Sequence, residues 1–195
     1  MFELERRQIV DLVGFDFHRG VLACARRPAL RQTLLAHELE ALERRAQLTL
    51  IAASGLADPR NLGALIRNAA AFDADGVIVD AAGADPFSRL AIRASVGNVF
   101  RVPLWVSDAL PATLAQLRRE LGMSLVAATP SGEHLLGEYA APARLLLLVG
   151  NEGAGLPADT LATADARVSI PMVESADSIN VAAASAVLLF GLRRG

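Results

Sequence analysis

Three segments of the 195-residue chain place polar side chains where a ligand could use them. The first, Asp58-Pro59-Arg60-Asn61-Leu62-Gly63-Ala64-Leu65-Ile66-Arg67-Asn68, follows an apolar run. Asn61 reads as a helix N-cap, after which Leu62, Leu65, Ile66 and Ala69 repeat as one core-facing stripe. Arg67 sits at the edge of that stripe. It is either a solvated side chain or the charged group of a cleft above the strand ends, where open parallel sheets bind ligands. The second segment is Gly150-Asn151-Glu152-Gly153-Ala154-Gly155-Leu156-Pro157. Its glycines let a ligand approach the main chain, but no Lys-Ser/Thr follows, so it is not a phosphate loop, and the spacing is not that of a dinucleotide fingerprint. The Glu152 carboxylate would repel a pyrophosphate, which calls for a cationic ligand, an arginine partner or backbone amides. The third segment runs from Ser169-Ile170-Pro171-Met172 through Glu174 to Ser178-Ile179-Asn180-Val181. Ser178 and Asn180 fall at or before the first turn of an apolar final helix, where a simple cap explains one of them. A weaker signal is the acid-free stretch from Pro86 to Ser107 with Arg89, Arg93 and Arg101. Arg89 and Arg93 are i, i+4 neighbours, a patch suited to phosphate.

These segments need elements to hold them. From residue 48 onward, short apolar runs alternate with helical patterns, which predicts a parallel sheet covered by helices on both faces. The predicted strands are Leu48–Ala53, Gly76–Val79, Val102–Trp105, Ser124–Ala127, Arg144–Val149 and Arg167–Ile170, with helices over 62–72, 86–96, 110–121 and 179–192. The continuous run Leu145 to Val149 reads as a strand buried on both faces, near the sheet centre. Residues 1–47 read as an end piece or linker, with a strand-like stretch from Val13 to Ala23 and a charged helix over 28–46. Residues 48–195 read as one α/β domain, which carries all three segments.

Composition bounds the partners. The 19 positive residues are all arginine against 21 acids, a net charge of −2, which excludes a polycation that binds nucleic acid by charge alone but leaves room for a local basic face. The longest apolar run, Val181 to Leu192, is shorter than the roughly 20 residues of a membrane span. The charged start lacks a secretion signal, and the lone Cys24 reads as a buried small hydrophobe in a reducing cytoplasm.

Taken in order, Asn61-x-Gly63-x-x-x-Arg67, Gly150-Asn151-Glu152-Gly153-x-Gly155-Leu156, and Ile170-Pro171-Met172 through Ser178-Ile179-Asn180-Val181 resemble the three motifs of the SpoU (TrmH-type) branch of the SPOUT methyltransferases. Ile92-Arg93-Ala94-Ser95-Val96-Gly97 and Ala127-Ala128-Thr129-Pro130 also look like that family, and His18-Arg19-Gly20-Val21 resembles the junction after an N-terminal RNA-binding domain in longer members. The resemblance implies an α/β SPOUT fold, a parallel sheet flanked by helices with a C-terminal deep trefoil knot, assembled as a homodimer. It implies methyl transfer from S-adenosylmethionine to a ribose 2′-OH of rRNA or tRNA, with rRNA favoured. It places the active site on Arg67, Asn61, Glu152, Ser178 and Asn180, cofactor contacts on Gly150, Ile170 and Ile179, and pocket lining on Thr129 and Met172. Arg60, Arg89 and Arg93 are the candidates for RNA contacts, and no metal is implied. Glu174 departs from the family, which commonly has glycine there.

An arginine holds its proton too tightly for free base action near neutrality, at a cost on the order of 8 kcal/mol. Arg67 is therefore read as a charged clamp on an RNA phosphate that orients the 2′-OH, with Asn61 fixing the hydroxyl or loop and Glu152 orienting neighbouring groups. The competing readings are a catalytically idle homologue that binds cofactor or RNA, and a small-molecule enzyme with an unrelated cleft.

Overall fold

The computed structural model describes residues 3–14, 16, 21–27, 36–173 and 178–192. Helices α1 (Arg6–Val13) and α2 (Ala36–Glu43) precede the sheet. Then follow β1 (Leu48–Ala53), α3 (Pro59–Ala71), β2 (Gly76–Asp80), α4 (Arg89–Ala94), a 3-10 turn (Asn98–Phe100), β3 (Leu104–Ser107) and α5 (Leu110–Leu121). The chain continues through β4 (Ser124–Ala128), β5 (His134–Leu135), β6 (Arg144–Val149), α6 (Ala158–Leu161), β7 (Ala166–Ser169) and α7 (Val181–Gly191).

The strands form one seven-stranded sheet in the order β3-β2-β1-β6-β4-β7-β5, and every pairing is parallel. The leucine run of β6 lies fourth of the seven and pairs with β1 along its whole length, from Leu48 opposite Arg144 to Ala53 opposite Val149. Its side chains alternate between two cores, as successive strand residues must. Leu145, Leu147 and Val149 join Leu62, Leu65 and Ile66 of α3 and Leu188 and Leu189 of α7. Leu146 and Leu148 join Leu114, Leu117 and Leu121 of α5 on the other face. The unbroken apolar run from Leu145 to Val149 is what this sandwich between two helical layers demands.

Carboxylates on the loops before β2 and β7 hold the starts of two strands. Asp75 accepts from the Thr49 amide (2.7 Å) and is paired with Arg45, and Asp165 accepts from the Leu125 amide (2.9 Å) and is paired with Arg118.

Several expectations shift. Val13 ends α1 against a left-handed Gly14 (φ 73°), and residues 21–23 form no strand; residues 15 and 17–20, with the junction-like His18, lie outside the described residues. Of the helix expected over 28–46, Ala36–Glu43 is helical and 28–35 lie outside the described residues. Strand β3 starts at Leu104 rather than Val102, because the Val102 amide still closes the preceding turn on Asn98 (2.9 Å). Helix α4 starts at Arg89 rather than at 86, after an Asp85 turn that accepts from the Phe87 amide (2.9 Å) and a Ser88 cap. Cys24 is exposed, not buried, because the segment that carries it runs over the surface without secondary structure. No helix of the described residues is long and apolar enough to cross a membrane, nor do three or more His, Cys, Asp or Glu side chains cluster there as a metal site would need.

Candidate functional site

Asp58, not Asn61, caps α3: its carboxylate accepts from the Arg60 amide (2.8 Å), and Pro59 occupies the first helical position, where its missing N–H costs nothing. Asn61 is thereby carried into the first turn with its side-chain amide free of capping duty. Gly63, on the same turn, faces α4, and a Cβ there would stand 2.4 Å from the Ala91 carbonyl oxygen. The glycine of this segment is a helix-crossing residue rather than a ligand contact.

At the carboxyl end of β6 the chain curls back on itself. Asn151 and Gly155 exchange backbone hydrogen bonds (3.0 and 2.9 Å), and a Cβ on Gly150 would sit 2.3 Å from the Gly155 carbonyl carbon, so no other residue fits there. The Asn151 side chain holds the curl. Its Oδ1 accepts from the Gly153 and Ala154 amides (2.9 and 3.1 Å), and its Nδ2 donates to the Gly55 carbonyl after β1 (3.0 Å). The curl presents Glu152 on its outer side, exposed.

The three segments meet through side chains. Asn61 Nδ2 donates to Glu152 Oε1, while Asn61 Oδ1 accepts from Asn180 Nδ2 (3.0 Å). Asn180 Oδ1 in turn accepts from the Ala182 amide (2.9 Å) and so caps α7. Residues 61, 152 and 180 thus form one relay, anchored at its far end to a helix N-terminus. The partner of Glu152 is a neutral amide, neither the arginine nor the backbone amides expected from sequence.

Beside the relay lies a cavity of about 470 Å³ at the carboxyl ends of β4, β6 and β7. Thr129, Gly150, Ile170, Met172 and Ile179 all line it, as do Glu152 and Ser178. Val149, Val168 and Leu188 add apolar wall. Thr129 Oγ1 is buried with no hydrogen-bond partner among the described residues. Asn61 and Asn180 border the site through Glu152 without lining the cavity.

The arginines stand apart. Arg67 is exposed, six residues beyond Asn61 and about 9 Å further along the helix axis, outside the cavity lining expected for it. Its side chain makes no hydrogen bond or ion pair among the described residues. Arg60 turns back onto Asp58, with Nε 3.0 Å and Nη2 2.8 Å from Oδ2, and the pairing holds the Asp58 carboxyl below the usual carboxylate range. Arg89 and Arg93 share α4 and are exposed. Glu174 lies outside the described residues.

Two contributors escaped the sequence reading. Asn151 shapes the curl, and an Asn before a Gly-x-Gly run was the available signal. Asn68 holds α7 against α3 by donating to the Ala182 carbonyl (2.6 Å) and to the buried Ser185 hydroxyl (2.9 Å), and a serine in an otherwise apolar helix marked its partner.

A family model described as the SpoU rRNA methylase family matches residues 48–190, which carry the sheet, the curl and the relay. The chain belongs to this family. Among SpoU relatives, an uncharacterised tRNA/rRNA methyltransferase of Mycobacterium bovis is 38% identical over 186 residues, 92% of this chain and 61% of its own length. The chain therefore spans about three-fifths of the curated relatives it matches. An AdoMet-bound rRNA methyltransferase from Sinorhizobium meliloti superimposes with a TM-score of 0.71 at 33% identity, over 80% of this chain and 59% of that one. An RNA 2′-O ribose methyltransferase does so with a TM-score of 0.69 at 35% identity, over 76% and 56%.

Proposed function

We propose that this SpoU chain transfers a methyl group from S-adenosylmethionine to a ribose 2′-OH of structured RNA, with rRNA favoured over tRNA. The observation that carries the reading is the Asn180–Asn61–Glu152 relay at the rim of the cavity, which ties three sequence-distant polar groups to one place. The family description and the two solved neighbours support the same chemistry.

The cavity suits the cofactor. Its apolar walls fit a purine, the orphaned Thr129 hydroxyl needs a polar partner, and the Glu152 carboxylate at the rim favours a cationic ligand. Gly150, Ile170 and Ile179 would hold the cofactor through main-chain groups, with Thr129 and Met172 lining its pocket. When bound, S-adenosylmethionine supplies an electrophilic methyl group on a sulfonium. The chain supplies position: Asn61, fixed from both sides, orients the hydroxyl or the curl, and Ser178 faces the cavity from the α7 side. Arg67, exposed and unpaired among the described residues, clamps the RNA phosphate that sets the 2′-OH, a role compatible with its distance from the relay. Arg60, Arg89 and Arg93 extend the phosphate contacts.

The knot and the homodimer belong to this proposal. Supporting the knot, the chain leaves β7, two strands beyond β6, and returns in α7 packed on α3, which follows β1. Supporting the homodimer, α7 is apolar all round and leaves Val187 and Phe190 exposed at 41% and 71%. A cytoplasmic location fits an RNA substrate.

Incubation with tritiated S-adenosylmethionine and total RNA tests the reading. Alkali-resistant label in rRNA is expected, as a 2′-O-methyl blocks cleavage at its phosphodiester. Label in tRNA alone would overturn the substrate preference, and cofactor binding without label in any RNA fraction would identify an idle homologue.

A further inference from the structure

The acid-free stretch after Asp85 builds a second surface that the relay and cavity leave unused. Beyond α4 and its Ser95 cap come Val96 and Gly97, both left-handed (φ 53° and 79°), which lead the chain into the 3-10 turn Asn98–Phe100. A β-branched residue is strained in that conformation. The turn is nevertheless rigid: the buried Ser95 hydroxyl donates to the Ile92 carbonyl (3.0 Å), Asn98 Nδ2 donates to the Ser95 carbonyl (2.9 Å), and Val99 is buried in the core. It delivers Phe100 to the surface at 59% exposure, with Val96 at 67%.

Phe100 does not stand alone. Its ring stacks on Phe87, with centroids 5.8 Å apart and planes 26° apart, and the Arg27 guanidinium lies 5.9 Å from the Phe87 centroid. Arg27 also holds Asp85 through two hydrogen bonds (2.9 and 3.0 Å), so the nearest upstream carboxylate is already neutralised. Between Pro86 and Ser107 there is no acid, while Arg93 and Arg101 are exposed and make no ion pair among the described residues. A ring fixed from behind, in a cationic setting stripped of carboxylates, is complementary to a partner that is both anionic and aromatic. Another protein surface would not require both properties.

We propose that Phe100 is a stacking platform for an unpaired base of the RNA, with Arg93 and Arg101 on the flanking phosphates. The inference rests on the RNA reading above and adds the kind of RNA: a loop or bulge, whose bases are free to leave the helix stack. A duplex alone offers no base to this surface.

Phe100→Trp reports stacking directly, because the native Trp105 is buried (4% exposed) and its signal is subtracted using the unsubstituted protein. A hairpin RNA with an unpaired loop is expected to quench the new fluorophore. A blunt duplex of the same composition and dextran sulfate, a polyanion without bases, are expected to leave it unchanged. Phe100→Ala and Phe100→Leu are both expected to weaken hairpin binding roughly ten-fold, with S-adenosylmethionine affinity unchanged. Leucine keeps the apolar bulk and guards against a folding artefact. Hairpin binding equal to that of the parent in the leucine variant, quenching by dextran sulfate, or a changed oligomeric state on removing the ring would each overturn the proposal. The two readings separate cleanly: quenching without methyl transfer sinks the enzymatic reading alone, and methyl transfer without quenching sinks this one alone.

Discussion

Asn61 uses both ends of one amide: its NH2 serves the Glu152 carboxylate and its carbonyl receives Asn180. Asn61→Asp keeps the acceptor, removes the donor and sets a second carboxylate against Glu152. Loss of a hydrogen bond to a charged group costs about 1.5–3 kcal/mol, so kcat should fall on the order of ten- to a hundred-fold. Cofactor affinity, measured by calorimetry, should hold, because Asn61 does not line the cavity. Arg67→Lys addresses the clamp. A planar fork that grips phosphate should lose most of the rate with an unmoved pH profile; a lysine enzyme that keeps its rate and shifts the profile would refute it. At this scale the residue types were legible and their partners were not. Asn61 looked like a cap because asparagine caps well, but the preceding Asp-Pro pair takes the cap and first helical positions, which releases Asn61 for the site. The hydrogen bonds of Asn151 exist only once the curl closes, so no local pattern announces them.

The elements that carry these residues were read well where burial dictates the pattern. Strand β6 and helix α5 fall where the leucine run and the apolar spacing put them, because both pack into closed cores. The two-residue β5 at the sheet edge and the four-residue α6 are too short to show a period. Helix α3 yields two predictions. Gly63→Ala drives a methyl group into the Ala91 carbonyl and should force α3 and α4 apart, at about 1–3 kcal/mol, seen as a lowered Tm. The second concerns acid. Arg60 depresses the Asp58 carboxyl, so the stability from this cap is fully present above the ordinary carboxylate pKa and is lost as pH falls through the lowered value. Following the Arg60 amide by NMR during acid titration should show that loss. Asp58→Asn, which still caps but does not titrate, should abolish the pH dependence.

For the whole molecule, the apolar α7 is the feature least explained by a single chain. Its inner side packs on α3, clamped by Asn68, while Phe190 meets Phe72 edge-on and remains largely exposed. If that outer side joins two copies, Phe190→Glu should convert a dimer to a monomer in light scattering and leave the circular dichroism unchanged. The same helix decides when the relay is complete. The relay joins residues 61, 152 and 180, and its last member caps α7, the last of the described elements. Partners so far apart in sequence meet only after the intervening sheet has closed. A partly folded chain therefore has the curl and the start of α3 in hand but an open relay, and the docking of α7 on α3 is the step that closes it.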